Sequence, residues 1–212
     1  MRTKTLLLTA ALGAISAAAV MAQTVYSVNA VGYVNVTVPA GQFALLSNPL
    51  NTGTNTLASV LPDAPNGTAV FKFNGTGYDK ATKNFGTWVG ASTMTLNPGE
   101  GFFVKNGTAT DIKLTFVGEV VQGTAVTLNI PNGFSLLGSP IPQEGKLKTD
   151  LQLPIKNGQA VFLFSNSGYT KSSYSFGTWV GGEPTLKVAE GFWFNAGAAG
   201  GTNWVRNFTV NQ

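Results

Sequence analysis

Cysteine and histidine are both absent from the 212-residue chain. Without cysteine there are no disulfides, no thiolate metal sites and no thiol for a lipid anchor, so the fold must be held by core burial. Without histidine, a serine-based triad lacks its usual base and the commonest metal ligand is gone. Charge is scarce as well. Charged residues make up 10% of the chain, where about 25% is ordinary for a soluble domain. The nine acidic residues stand singly, with no paired carboxylates for general acid–base work and no Asp-rich loop of calcium-binding spacing. These absences lead to an expectation of a non-catalytic protein with no cofactor and no metal.

A long apolar run is present only at the start. Arg2 and Lys4 precede an apolar stretch from Leu6 to Val20, and Val20-Met21-Ala22 fits a small-residue cleavage site, the pattern of a secretory signal peptide over residues 1–22. The run is short for a membrane span, which needs about 20 residues. Removing that leader leaves 11 basic residues against 9 acidic ones, from 13 against 9 in the whole chain. So small a surplus, with no basic stripe, argues against a nucleic-acid partner. The expected compartment is outside the cytoplasm (periplasm, cell surface or exterior), with no integral membrane segment after cleavage.

What the chain has is repetition. "NPGEGFFVKN" at 97–106 returns as "VAEGFWFNAG" at 188–197, and "FGTWVG" occurs verbatim at 85–90 and 176–181. "FALLSNP" at 43–49 answers "FSLLGSP" at 134–140, and "NGTAVFKF" at 66–73 answers "NGQAVFLF" at 157–164. A shift of 90 to 92 positions aligns nearly everything after the leader, ending with "LTFVGEV" at 114–120 on "RNFTVNQ" at 206–212. The reading is an internal duplication into two modules, residues 23–121 and 122–212.

Within each module, short runs rich in Val, Phe, Thr and Tyr alternate with period two between Asn-Gly, Pro and Gly turns, which is the signature of β-strands. The fold class expected is all-β, two tandem sandwich-like modules or small barrels of about six or seven strands each. Only 56–61, halted by Pro62, and 148–153, halted by Pro154, suggest a helical turn. In the repeated motif, Gly101 and Gly191 are the glycines common to both copies and are assigned to the folding of a tight turn or to close strand approach. Glu100 and Glu190 are expected to accept N–H bonds of their own turn or to pair with a lysine, rather than to ligate a cation.

The early "F-x-L-L-S-x-P" strand and late "P-G-E-G-F-F-V" strand resemble a module widespread in secreted and cell-surface bacterial proteins, whose early strand reads "W-N-L-I-S-L-P" and late strand "P-G-x-G-Y-W-V". The resemblance covers both halves. It implies an accessory β-domain of unassigned function and brings no catalytic residues.

Candidate ligand-binding residues are the aromatics of the repeated frames, Trp88 and Trp179 with Tyr78 and Tyr169 ten and ten residues before them. Exposed rings of this kind stack on sugar faces, whereas buried ones simply add bulk to a core. Three functions stay open: a structural or interaction protein of the cell surface, a polysaccharide-binding protein using these rings, and a filament subunit. The last rests on the unrepeated arm 24–30, "TVYSVNA", which could pair with the open sheet edge of a neighbour.

Overall fold

The computed structural model of the chain describes residues 30–210. The expected leader, and all of the arm except Ala30, lie outside the described residues. The first half runs β1 (Val31–Val38), β2 (Phe43–Ser47), helix α1 (Leu57–Val60), β3 (Thr68–Phe73), β4 (Tyr78–Asn84), β5 (Thr87–Gly90), β6 (Gly101–Asn106) and β7 (Ile112–Glu119). The second half runs β8 (Gly123–Ile130), β9 (Phe134–Gly138), β10 (Gly145–Lys146), β11 (Ala160–Ser165), β12 (Gly168–Ser175), β13 (Thr178–Val180), β14 (Thr185–Leu186), β15 (Gly191–Asn195) and β16 (Thr202–Phe208). No helix among the described residues is long and apolar enough to cross a membrane.

The chain is all-β, and its two halves use one strand order. A five-stranded antiparallel sheet β2-β6-β3-β4-β5 in the first half corresponds strand for strand to β9-β15-β11-β12-β13 in the second. Each sheet is covered on one face by a two-stranded ribbon, β1-β7 or β8-β16. Alternation along the strands explains the layering. Val70, Phe102 and Val104 turn toward the ribbon and meet Val38, Leu114 and Phe116 in the first core. Val161, Phe192 and Phe194 do the same against Ile130 and Trp204 in the second. The turn at 74–77 forms as its composition suggests: the Asn74 side-chain oxygen accepts from the N–H groups of Thr76 and Gly77.

Two local expectations need correcting. Thr56 caps a single-turn helix, its hydroxyl oxygen accepting from Ser59 N–H, but the counterpart at 148–153 is a series of turns with Gln152 at positive φ. In β3, Lys72 lies on the core side at its rim, bonded to Glu100, and Phe71 and Phe73 point to the other face. The last strand is offset by two residues from the sequence match. Its pairing places Trp204 opposite Leu128 and Arg206 opposite Val126, as Leu114 and Phe116 stand opposite Val36 and Val34. A slip of two keeps every side chain on its face, so periodicity does not detect it. Arg206 therefore occupies the place of a core phenylalanine. Burial lowers the pKa of its guanidinium, which donates to the Leu151 carbonyl at 2.6 Å and to Gln143 at 2.9 Å.

The halves meet through reciprocal backbone contacts. Ser47 N–H donates to the Ala189 carbonyl and Gly138 N–H to the Gly99 carbonyl, each at 2.9 Å. Leu46 bridges Glu190 as Leu137 bridges Glu100. The glycines of the repeated motif divide their work here. Gly99 has φ +85° and its counterpart Ala189 φ +63°, so that position needs a left-handed backbone. Gly101 and Gly191 need empty space: a Cβ would stand 2.8 Å from the Leu136 carbonyl carbon or 2.6 Å from the Leu46 oxygen. At the centre of the seam, a Cβ on Gly138 would lie 2.0 Å from Ser47 Oγ.

Making the second half like the first at this point should therefore fail. Gly138→Ser is expected to destabilise the protein by about 1–3 kcal/mol, the usual cost of overpacking, and the exchange Ser47→Gly with Gly138→Ser should recover most of it. Urea unfolding of the two single variants and the double variant measures the coupling.

Candidate functional site

The face of each five-stranded sheet turned away from its ribbon is aromatic. On the first, Phe43 of β2, Phe103 of β6, Phe71 and Phe73 of β3 and Tyr78 of β4 share one side, because Phe71 pairs with Phe103 and Phe73 with Tyr78 across the strands. On the second, Phe134, Trp193, Phe162, Phe164 and Tyr169 hold the equivalent places. Leu45, Phe103 and Leu136 are buried where the two faces touch, with Phe73, Phe164 and Trp193 packed on them. Rings cross the seam edge to face, Phe73 to Trp193 at 4.8 Å and Phe103 to Phe164 at 5.2 Å, the arrangement favoured by ring quadrupoles.

The faces touch only in part, and two clefts stay open beside the contact. Phe43, Phe71, Tyr78 and Phe103 line the first together with Phe164 and Tyr169 of the other half, around a volume of about 340 Å³. Phe134, Phe162, Tyr169 and Trp193 line the second with Phe73 of the first half, around about 390 Å³. Under the sequence repeat five lining residues of the first cleft have counterparts in the second, and the first cleft alone holds both Tyr78 and Tyr169. Their rims carry cations over ring faces: Lys105 over Phe43 at 4.7 Å, Lys80 over Phe71 at 5.4 Å and Lys171 over Phe162 at 5.7 Å. Tyr78, 46% exposed, has its phenol pKa raised by burial and by the nearby Tyr169, and stays a neutral donor at physiological pH.

The four aromatics singled out by sequence do not form one site. Tyr78 and Tyr169 lie on the aromatic face and line the first cleft together. Trp88 and Trp179 lie on the opposite face of their sheets, half-buried against the two cores, with Lys83 over the Trp88 ring and Tyr174 edge-on to Trp179. Both indole Nε1 atoms are buried without a hydrogen-bond partner. Sequence reasoning missed the phenylalanines. The available signal was the period-two pairs Phe71/Phe73 and Phe162/Phe164, placed opposite Tyr78 and Tyr169 in a hairpin whose other face is already apolar through Val70 and Val161.

Glu100 and Glu190 serve their turns. Glu100 Oε2 accepts from Lys72 Nζ at 2.8 Å and from Asn97 N–H at 2.7 Å, and Glu190 Oε2 accepts from Lys187 N–H at 2.9 Å. Leu163 stands where the first half has Lys72, so the ion pair is not repeated.

A further pair was read only as part of a repeated frame. Phe85 and Phe176 occupy two-residue hairpin loops at φ +47° and +50°, each followed by a glycine at +78°. Turns with two positive φ values favour Asn-Gly. A left-handed conformation costs an ordinary residue about 1–2 kcal/mol. The backbone is held there by Asn66 and Asn157, whose side-chain oxygens accept from Gly86 and Gly177 N–H. The rings are 98% and 97% exposed.

Searched against protein-family models, curated proteins and solved structures, the chain gives no match.

Placement on opposite faces separates the two residue types experimentally. Trp88→Ala and Trp179→Ala should each cost about 3–5 kcal/mol of stability, as aromatic truncations in a core do. Tyr78→Ser and Tyr169→Ser, half exposed, should each cost about 1 kcal/mol or less. Chemical unfolding followed by circular dichroism distinguishes these outcomes.

Proposed function

We propose that this is an exported, non-catalytic interaction protein of the cell surface, and that the aromatic face built jointly by its two halves is the surface through which it binds a protein partner. The observation that carries this reading is the pair of matching open clefts, each lined by aromatic rings from both halves. Aromatic side chains in concave, partly desolvated places dominate the energetics of protein contacts. The export signal at 1–22 and the likeness to accessory modules of secreted proteins support the location.

The polysaccharide reading fits the same face less well. A sugar stacked on these rings would need hydrogen-bond donors and acceptors around its hydroxyls, since burying them unpaired is unfavourable. The lining supplies rings, two tyrosine hydroxyls and, at the rim, lysines already placed over phenylalanines. Apolar or aromatic side chains of a protein meet no such penalty.

Retention of the purified protein on washed envelopes of the source cells, beside the Tyr78→Ser/Tyr169→Ser variant, tests this. Expected is retention that falls about tenfold in the folded variant and disappears when the envelopes are first treated with protease. Retention that survives protease treatment would transfer the face to the polysaccharide reading, and equal retention of the variant would remove the face from function.

A further inference from the structure

We propose that Phe85 and Phe176 are docking tips, and that the partner received by the aromatic clefts is a second copy of this chain. The inference rests on the aromatic face being the contact surface, and it names the occupant. Its first ground is that no ring or cation contact among the described residues uses these rings. Each sits at the end of a hairpin, almost wholly in solvent, in a backbone conformation that a phenylalanine adopts at a cost and an asparagine or glycine adopts readily. The arrangement occurs twice, once per half, in an identical six-residue frame.

The second ground is continuity with the seam. The clefts are the uncovered flanks of the contact by which the two sheets already recognise each other, Phe73 edge-on to Trp193 and Phe164 edge-on to Phe103. Partners in that contact are phenylalanines presented by a hairpin strand of a related half. A Phe85 or Phe176 ring from outside brings the same group to the same rings. Charge does not oppose the approach, because Asn84-Phe85-Gly86 and Ser175-Phe176-Gly177 are uncharged while the cleft rims carry Lys80, Lys105 and Lys171. The same neutrality disfavours an anionic bilayer as the target, where a basic flank would be needed.

Area and symmetry then state what kind of assembly results. A docked ring removes about 150–250 Å² from water and covers a comparable area of cleft, so two tip-to-cleft contacts bury about 600–1,000 Å². A stable interface buries about 1,200–2,000 Å², so a single pairing is weak and concentration-dependent. A tip and its cleft are different surfaces of one molecule, so two copies either exchange tips reciprocally in a closed dimer or dock head-to-tail into rings or open chains in which repeated contacts add.

Sedimentation velocity of the purified protein over a wide concentration range is the test, run on three forms: the unaltered protein, Phe85→Asn/Phe176→Asn, which lacks the tips, and Phe43→Ser/Phe134→Ser, which alters the clefts. The unaltered protein should reach at least about twice the mass of one chain, as pairing in either arrangement requires. Both variants should stay single, and mixing them should restore a complex containing one of each. Because asparagine suits the turn, the tip variant should melt higher than the parent, which separates lost assembly from lost fold. The idea is overturned if the unaltered protein stays single at the highest concentration, if the tip variant assembles like the parent, or if the tips instead hold the protein on phosphatidylglycerol vesicles. A protein that stays single yet still needs Tyr78 and Tyr169 for envelope retention loses only this occupant. If that retention is absent too, the aromatic face itself falls.

Discussion

The contact between the two halves is arranged around a backbone approach that only glycine permits. Gly101 and Gly191 stand where the repeated turn of one half runs against the early strand of the other, so close that a single added carbon would meet main-chain atoms. That closeness allows the reciprocal N–H to carbonyl bonds of Ser47 with Ala189 and of Gly138 with Gly99. It also fixes how far apart the two aromatic faces stand. The rings of Phe73, Phe103, Phe164 and Trp193 reach one another across the seam, and the same spacing leaves the flanking rings uncovered.

Each sheet thereby has two apolar faces with different uses. One face is closed over by a ribbon and is a conventional core, with Phe102, Phe116, Phe192 and Trp204 fully buried. The other is shared between the halves and only partly closed. A contiguous apolar surface left open on a folded protein usually marks a place of contact. Here it is flanked by cations over ring faces, which keeps charge at its rim without introducing carboxylates.

The all-β class was legible in the sequence, because alternation is a property of the chain itself, and the two five-stranded sheets of like strand order follow the spacing of the repeated motifs. What could not be read was which face of a two-faced strand meets which layer. Trp88 and Tyr78 share a hairpin and a composition signal, yet a difference in strand parity sends the indole to the core and the phenol to the cleft. The register of the last strand was hidden for a related reason: a slip of two preserves parity, and a buried arginine at position 206 looks in sequence like a surface residue. The meaning of Gly101 and Gly191 was half legible, since the need for a missing side chain could be inferred but the neighbour that requires it belongs to the other half.

The seam also carries a consequence for how independent the halves are. On its near-twofold axis the first half presents Ser47 and the second presents Gly138, and the serine side chain fills the space that the glycine leaves. Two first halves brought together in this way would offer two hydroxymethyl groups to room for one, while two second halves would leave a gap. The pseudo-symmetry is thus broken at the point where it matters most, and each half is matched in shape to its companion and mismatched to itself.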